Sequence, residues 1–148
     1  MNLETMNYEV RDGVAHVCFA RSDGANTINP KFCRDLRDIM LEIEWDDRVK
    51  AVSVTAAGKV FHAGGDLKEF HEAGAGLPKL ASGMLTDFHG GIYKMNRMPK
   101  PFVAGVNGAA GGAGLSIVSS FDLVVAGESA KFTMAYTNAG VTPDATST

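Results

Sequence analysis

The stretch PFVAGVNGAAGGAGLSIVSSFD, Pro101 to Asp122, decides how this 148-residue chain is read. It opens as an apolar strand over Phe102 to Val106, turns at Asn107-Gly108, crosses a run almost without side chains, and continues as an apolar helical pattern from Ala113 to Phe121. Gly108, Gly111, Gly112 and Gly114, with Ala109, Ala110 and Ala113, leave the main chain nearly bare. Glycine loses more conformational freedom on folding than any other residue. A run this rich in it implies close approach to the backbone. At a helix start the first N–H groups lack partners, and the helix dipole favours negative charge. The segment therefore reads as an anion or oxyanion site built from main chain. Gly108 and Gly114 read as close-packing positions.

Working outward, Leu123 to Ala126 and Lys131 to Thr133 read as strands, and GVTPDATST at the end as a loop. Upstream, Tyr8 to Arg11 and Val14 to Phe19 flank Asp12-Gly13, a hairpin turn pair. Asn29-Pro30 marks a helix start, as cap and first-turn proline. Phe32, Leu36, Ile39, Met40 and Ile43 share one face of that helix, which is expected to run to about Glu44. Val49 to Thr55 reads as a strand. FHAGGD, Phe61 to Asp66, is a strand end breaking into glycine, with a short helix from Asp66 to Glu72. Ala73 to Leu80 reads as a loop. Ser82 to Arg97 reads as a helix striped by Leu85, Phe88, Ile92 and Met95, which Pro99 and Pro101 stop. Strands alternating with helices predict α/β architecture, in one domain over residues 1–148.

Composition excludes several classes. Hydrophobic residues make up 45% of the chain, enough for a core, and the net charge is −3. Without a basic excess, nucleic acid is not expected as a partner. No apolar run is long enough for a bilayer, so no membrane association is expected. The start MNLETMNYEV lacks the basic and apolar regions of a signal peptide. Cys18 and Cys33 read as reduced, buried thiols of a cytoplasmic protein. No His, Cys, Asp or Glu group has metal-ligand spacing, so no metal is expected. GAAGGAG fits neither a Walker nor a dinucleotide fingerprint.

AGGDLKE at Ala63 to Glu69, KPFVAGVNGAAGGAGLS at Lys100 to Ser116, and SFDLVVAGESAKFTMAYTNAGVTPD at Ser120 to Asp144 together resemble the crotonase superfamily, the enoyl-CoA hydratases, isomerases and their relatives. The three motifs come in the right order, and the resemblance extends over nearly the whole chain. The resemblance implies a spiral of ββα turns, with the active site between two glycine-rich loops. It also implies that the chain is an N-terminal portion, lacking the C-terminal helices that close the site and build a homotrimer or hexamer. The implied substrate is an acyl-CoA thioester, with no cofactor beyond the coenzyme A that the substrate carries. Family resemblance puts one oxyanion N–H at Gly65 and the other at Ala113. It puts coenzyme A against Ala63, Gly65, Asp66 and Leu67 and against the loop Ala25, Asn26 and Thr27. That loop lacks the usual basic residue before Asn26, so the phosphate contacts are expected to be weaker there or to come from Arg21, Lys68 or the C-terminal region that relatives carry.

The acid and base groups choose the reaction. The positions matching the two glutamates of the best-known hydratases are Ser116 and Tyr136, and neither acts as a carboxylate near neutral pH. Asp144, in GVTPD, matches the working aspartate of ring-unsaturated acyl-CoA isomerases and of chlorobenzoyl-CoA dehalogenase. Taken alone it is a turn residue after Pro143. Hydration divides naturally between two groups, whereas a double-bond shift needs one base that removes a proton and returns it elsewhere. The expectation is therefore isomerisation with Asp144 as acid/base, its pKa raised by an apolar pocket holding Tyr136 and Phe88. The alternatives are an aryl-CoA dehalogenase with Asp144 as nucleophile and His89 facing inward as base, or a non-catalytic acyl-CoA-binding protein. His62 is placed beside the acyl-CoA channel; His71 and His16 are assigned no chemistry.

Overall fold

A computed structural model describes residues 1–137, 140 and 142. The chain opens with β1 (Met6–Arg11) and β2 (Val14–Phe19). Asp12 and Gly13 between them both have positive φ, 52° and 81°, as a tight hairpin turn requires. Next comes α1 (Pro30–Trp45). The Asn29 side chain accepts the Phe32 N–H, and Pro30 occupies the first turn, so the start is the one its sequence dictates.

From there the chain winds in repeating turns, each giving one strand to a large sheet and the next to a small one. The first turn is β3 (Ala51–Ala56), β4 (Val60–His62), α2 (Leu67–Ala73) and α3 (Leu77–Arg97). The second is β5 (Phe102–Val106), β6 (Ala109–Gly111) and α4 (Ala113–Ser119). A third begins with β7 (Leu123–Ala126) and β8 (Lys131–Thr133). The large sheet runs β1-β2-β3-β5-β7 and the small one β4-β6-β8. Every pairing except β1 with β2 is parallel. This is the expected ββα spiral.

The core lies between the large sheet and the helices. Phe19, Val52, Val54, Phe102 and Ala104 from the sheet meet Phe32, Ile39, Met40 and Ile43 of α1 and Phe88 and Met95 of α3, all buried. Each of these side chains larger than alanine contributes about 1.5–3 kcal/mol through burial. The helices α1 and α3 pack closely because Gly91 has no side chain: a Cβ there would sit 2.9 Å from Leu36.

Three readings need correction. The stretch read as a loop over Ala73 to Leu80 instead holds a short 3-10 turn (Gly74–Gly76) and the start of α3 at Leu77. Pro78 sits in the first turn, where its missing N–H costs nothing. Ala109–Gly111, read only as a small-residue stretch between turn and helix, is the strand β6, because β4 and β8 offer it a parallel ladder on both sides. Cys33 is buried, which pushes its thiol up to about 12, but Cys18 is only half-buried. No helix among the described residues is long and apolar enough to cross a membrane.

The outer strands β7 and β8 are uncovered. Leu123 is 62% exposed, Val125 69% and Phe132 45%.

Candidate active site

The first glycine loop follows from where its main-chain groups are bound. The Ala63 N–H donates to the Ala25 carbonyl at 3.0 Å. The Gly64 N–H donates to His62 Nδ1 at 3.1 Å, and the Asp66 N–H to the Ile28 carbonyl at 3.0 Å. The Ile28 N–H donates to the Gly64 carbonyl at 2.8 Å. Among the described residues, the Gly65 N–H alone in this run has no such partner. A trans peptide is planar, so tying the Gly64 carbonyl to Ile28 turns the Gly65 N–H to the opposite side. An unpaired main-chain donor is uncommon in folded proteins and calls for a ligand or solvent to meet it.

The second loop lies against the first. Gly112 turns at φ 53° and its N–H is held by the Thr133 carbonyl at 3.0 Å. Ala113 then opens α4, with no partner for its N–H among the described residues. Contact between the loops depends on missing side chains. A Cβ on Gly64 would lie 2.7 Å from the Gly111 carbonyl and 3.4 Å from the Ala113 nitrogen. One on Gly114 would lie 2.3 Å from the His62 carbonyl, and one on Gly108 2.1 Å from that of Lys59. Gly108 and Gly114 are thus the packing positions they were read to be.

Gly65 and Ala113 line one cleft of about 240 Å³. Ile28, Leu67, Phe70, Met84 and Leu85 make its walls apolar, and Phe88, Tyr136 and Thr142 complete them. Ser116 and Tyr136 meet: their hydroxyl oxygens lie 2.9 Å apart, both residues buried. Sequence spacing gave no sign of this pair, since strands β7 and β8 separate the two residues. Asp144 lies outside the described residues.

The other candidates divide. His89 is exposed and does not line the cleft. It stands next to Phe88 on α3, so when Phe88 turns inward, as it does, its neighbour cannot share that face. The inward-facing reading of His89 is therefore wrong. His62 does not border the channel either. It is fully buried, with its ring edge-on to Phe32 at 4.9 Å and to Phe19 at 5.7 Å between centroids. Burial, helped by the Arg21 charge, pushes its pKa down to about 3, so the imidazole is neutral. Its Nε2 has no hydrogen-bond partner among the described residues. Leaving such a group unpaired costs on the order of 1–3 kcal/mol.

The loop Ala25 to Thr27 serves as a brace. Asn26, at φ 50°, is buried, accepts the Arg21 N–H and donates to the carbonyls of Val60 and Phe61. Its side chain is therefore committed to the fold. Thr27 Oγ1 donates to Asp66 Oδ2 at 2.9 Å, and Arg21 pairs with Asp66 at 2.9 Å and with Asp23 at 2.6 Å. Burial opposes charge on Asp66. The Glu69 N–H it caps, Arg21 and Thr27 outweigh that and hold its pKa below the ordinary value. Arg21 is already matched by carboxylates, whereas Lys68 is exposed and only loosely paired with Glu72 at 3.9 Å. Ala63 and Leu67 are exposed beside the cleft. No cluster of His, Cys, Asp and Glu among the described residues has the makings of a metal site.

Residues 9–148 match the family model described as enoyl-CoA hydratase/isomerase. The chain is 31% identical to the 1,2-epoxyphenylacetyl-CoA isomerase of Escherichia coli K12, over 96% of its own length and 55% of that protein's. It is 32% identical to 4-chlorobenzoyl coenzyme A dehalogenase-2 of an Arthrobacter species, over 96% and 52% respectively. Its structure superposes on that of an enoyl-CoA hydratase from Polaromonas sp. JS666 with a TM-score of 0.87 at 27% identity, over 95% of this chain and 55% of that one. The chain thus spans about half the length of the relatives it matches, from their N-terminal portion. Relatives with different reactions lie at nearly equal identity, so the family is fixed and the reaction is left to the residues. The chain belongs to the enoyl-CoA hydratase/isomerase family and has its crotonase fold.

Proposed function

We propose that the protein binds an acyl-CoA thioester in the cleft between its glycine loops and shifts a carbon–carbon double bond of the acyl group. The thioester oxygen accepts the N–H groups of Gly65 and Ala113. Asp144 takes a proton from a carbon conjugated to the carbonyl. The electron pair left behind moves toward the thioester oxygen, and an enolate forms under the two donors. Asp144 returns the proton to a different carbon, the double bond re-forms one position away, and the thioester is regenerated. No oxidant, metal or water is consumed. In comparable sites, loss of one such donor costs about 2.7–4 kcal/mol of transition-state stabilisation.

The observation that carries the reading is the binding pattern of the first loop. Of the four N–H groups from Ala63 to Asp66, three are engaged and the fourth, at Gly65, is left for the cleft that Ala113 also lines. Isomerisation is favoured over hydration because Ser116 and Tyr136, matching the hydratase glutamates, are hydrogen-bonded to each other. It is favoured over dehalogenation because His89, the base that reaction would use, faces away. Coenzyme A lies along Ala25 to Thr27 and Ala63 to Leu67, held mainly by backbone. A homotrimer or hexamer belongs to the same proposal.

The test is turnover of a panel of enoyl-CoA thioesters by the wild type and Asp144→Asn. Loss of double-bond migration in the variant, with CoA-thioester affinity kept, supports the mechanism. Unchanged turnover removes Asp144 from it. Binding without turnover by the wild type would favour a non-catalytic acyl-CoA carrier.

A further inference from the structure

We infer that His62 is a positioning residue for both oxyanion donors, acting through a hydrogen-bond acceptor buried behind the site. The inference rests on the oxyanion reading proposed above.

Three observations converge on this side chain. First, Nδ1 accepts the Gly64 N–H at 3.1 Å. That bond fixes the peptide immediately before the one that carries the Gly65 N–H. With the Gly64 carbonyl tied to Ile28, two successive peptide planes are pinned, and the free donor has one direction left. Second, the His62 backbone touches the other loop. Gly114, the residue after the second donor, is so close that a Cβ would lie 2.3 Å from the His62 carbonyl and 3.0 Å from the His62 Cβ. One residue thus contacts the supports of both donors.

Third, packing alone does not account for a histidine here. The ring is enclosed by Phe19 and Phe32. Because Nδ1 accepts, Nε2 carries the proton, and it is buried without a partner among the described residues. A phenylalanine would fill similar space with no stranded donor. The feature histidine adds is an acceptor at the δ position. The imidazole stays neutral across the range in which an enzyme would work, so the acceptor is always present.

His62→Phe keeps the ring and loses the acceptor. His62→Asn loses the ring and keeps an acceptor, since Oδ1 occupies the place of Nδ1. The variants are compared by infrared difference spectroscopy of a bound, non-reacting acyl-CoA labelled with 13C at the thioester carbonyl, with kcat, KM and thermal unfolding measured alongside. The wild type should shift the carbonyl stretch to lower frequency than in water. His62→Asn should keep most of that shift despite its lower stability. His62→Phe should lose most of it, with kcat down roughly 10–100-fold and KM within about threefold. A packing role predicts the reverse order, with His62→Phe the better enzyme, and that result overturns the inference. If His62→Phe does not fold, His62→Gln, whose acceptor sits one bond too far out, replaces it in the same comparison with His62→Asn. A wild type that leaves the carbonyl frequency unchanged removes the oxyanion reading itself, and this inference falls with it. A shift kept equally by all variants removes only the role of His62.

Discussion

Gly114→Ala tests how tightly the two donor loops are locked together. The glycine stands in the first turn of α4 with an ordinary helical backbone, so alanine meets no φ penalty there, and helix propensity favours it by up to about 1 kcal/mol. Against this, the new Cβ would lie 2.3 Å from the His62 carbonyl oxygen. That atom belongs to the backbone of β4 and cannot swing aside. Restoring van der Waals distance requires the helix and β4 to part by roughly 1 Å. Overpacking of this kind costs about 1–3 kcal/mol. The net effect is a loss of about 0–2 kcal/mol, with a fall in Tm of about 2–4 °C for each kcal/mol. Function should suffer more, because the parting separates the donors at Gly65 and Ala113. A displacement of about 1 Å costs on the order of 10²-fold in rate. Gly83→Ala is the control: it sits on α3, exposed, with nothing within 4 Å of the new Cβ. It should raise stability by about 0.5–1 kcal/mol and leave turnover alone. Thermal unfolding and turnover of one enoyl-CoA substrate read both variants. A Gly114→Ala protein at least as stable as the Gly83→Ala control and fully active would refute the close-contact reasoning.

Further predictions concern the braces around the cleft. The lowered pKa of Asp66 means its stabilising effect is complete above about pH 4 and is lost as pH falls through its folded value. Asp66→Asn should therefore be less stable at pH 7 and show a shallower loss on acidification, measured as urea midpoints at pH 7 and pH 3. Equal pH slopes in the two proteins would contradict the Arg21–Asp66–Thr27 account. Tyr136→Phe breaks the hydrogen bond with Ser116 and should cost about 1 kcal/mol in thermal unfolding. Turnover should change less than tenfold if Tyr136 is a wall of the cleft. A loss of a hundredfold or more would move proton transfer from Asp144 to Tyr136.

The sequence showed the architecture wherever local chemistry and tertiary demand agreed. Asp12-Gly13, Asn29-Pro30 and the apolar stripe of α1 each name their own structure. It failed at β6, where Ala109-Ala110-Gly111 has no strand propensity and is made a strand by its neighbours in the small sheet. It failed at the start of α3, where glycine and proline look like loop but proline in a first turn is ordinary helix chemistry. In the candidate site, resemblance and the logic of free N–H groups single out Gly65 and Ala113, and both line the cleft. Asn26 is assigned to the ligand by family resemblance alone, whereas a positive φ and side-chain bonds to the main chain of Arg21, Ala57, Val60 and Phe61 make its side chain a strut of the loop. His62 and the Ser116–Tyr136 pair were misjudged or missed for a common reason. Their meaning lies in distances between residues far apart in sequence or in a main-chain contact, which no spacing rule reports.

The most direct test of the account is a crystal structure of the protein with a non-reactive acyl-CoA. The thioester oxygen is predicted to lie about 2.7–3.1 Å from both the Gly65 and Ala113 nitrogens. A thioester bound elsewhere, or an oxygen that reaches neither amide, would contradict it.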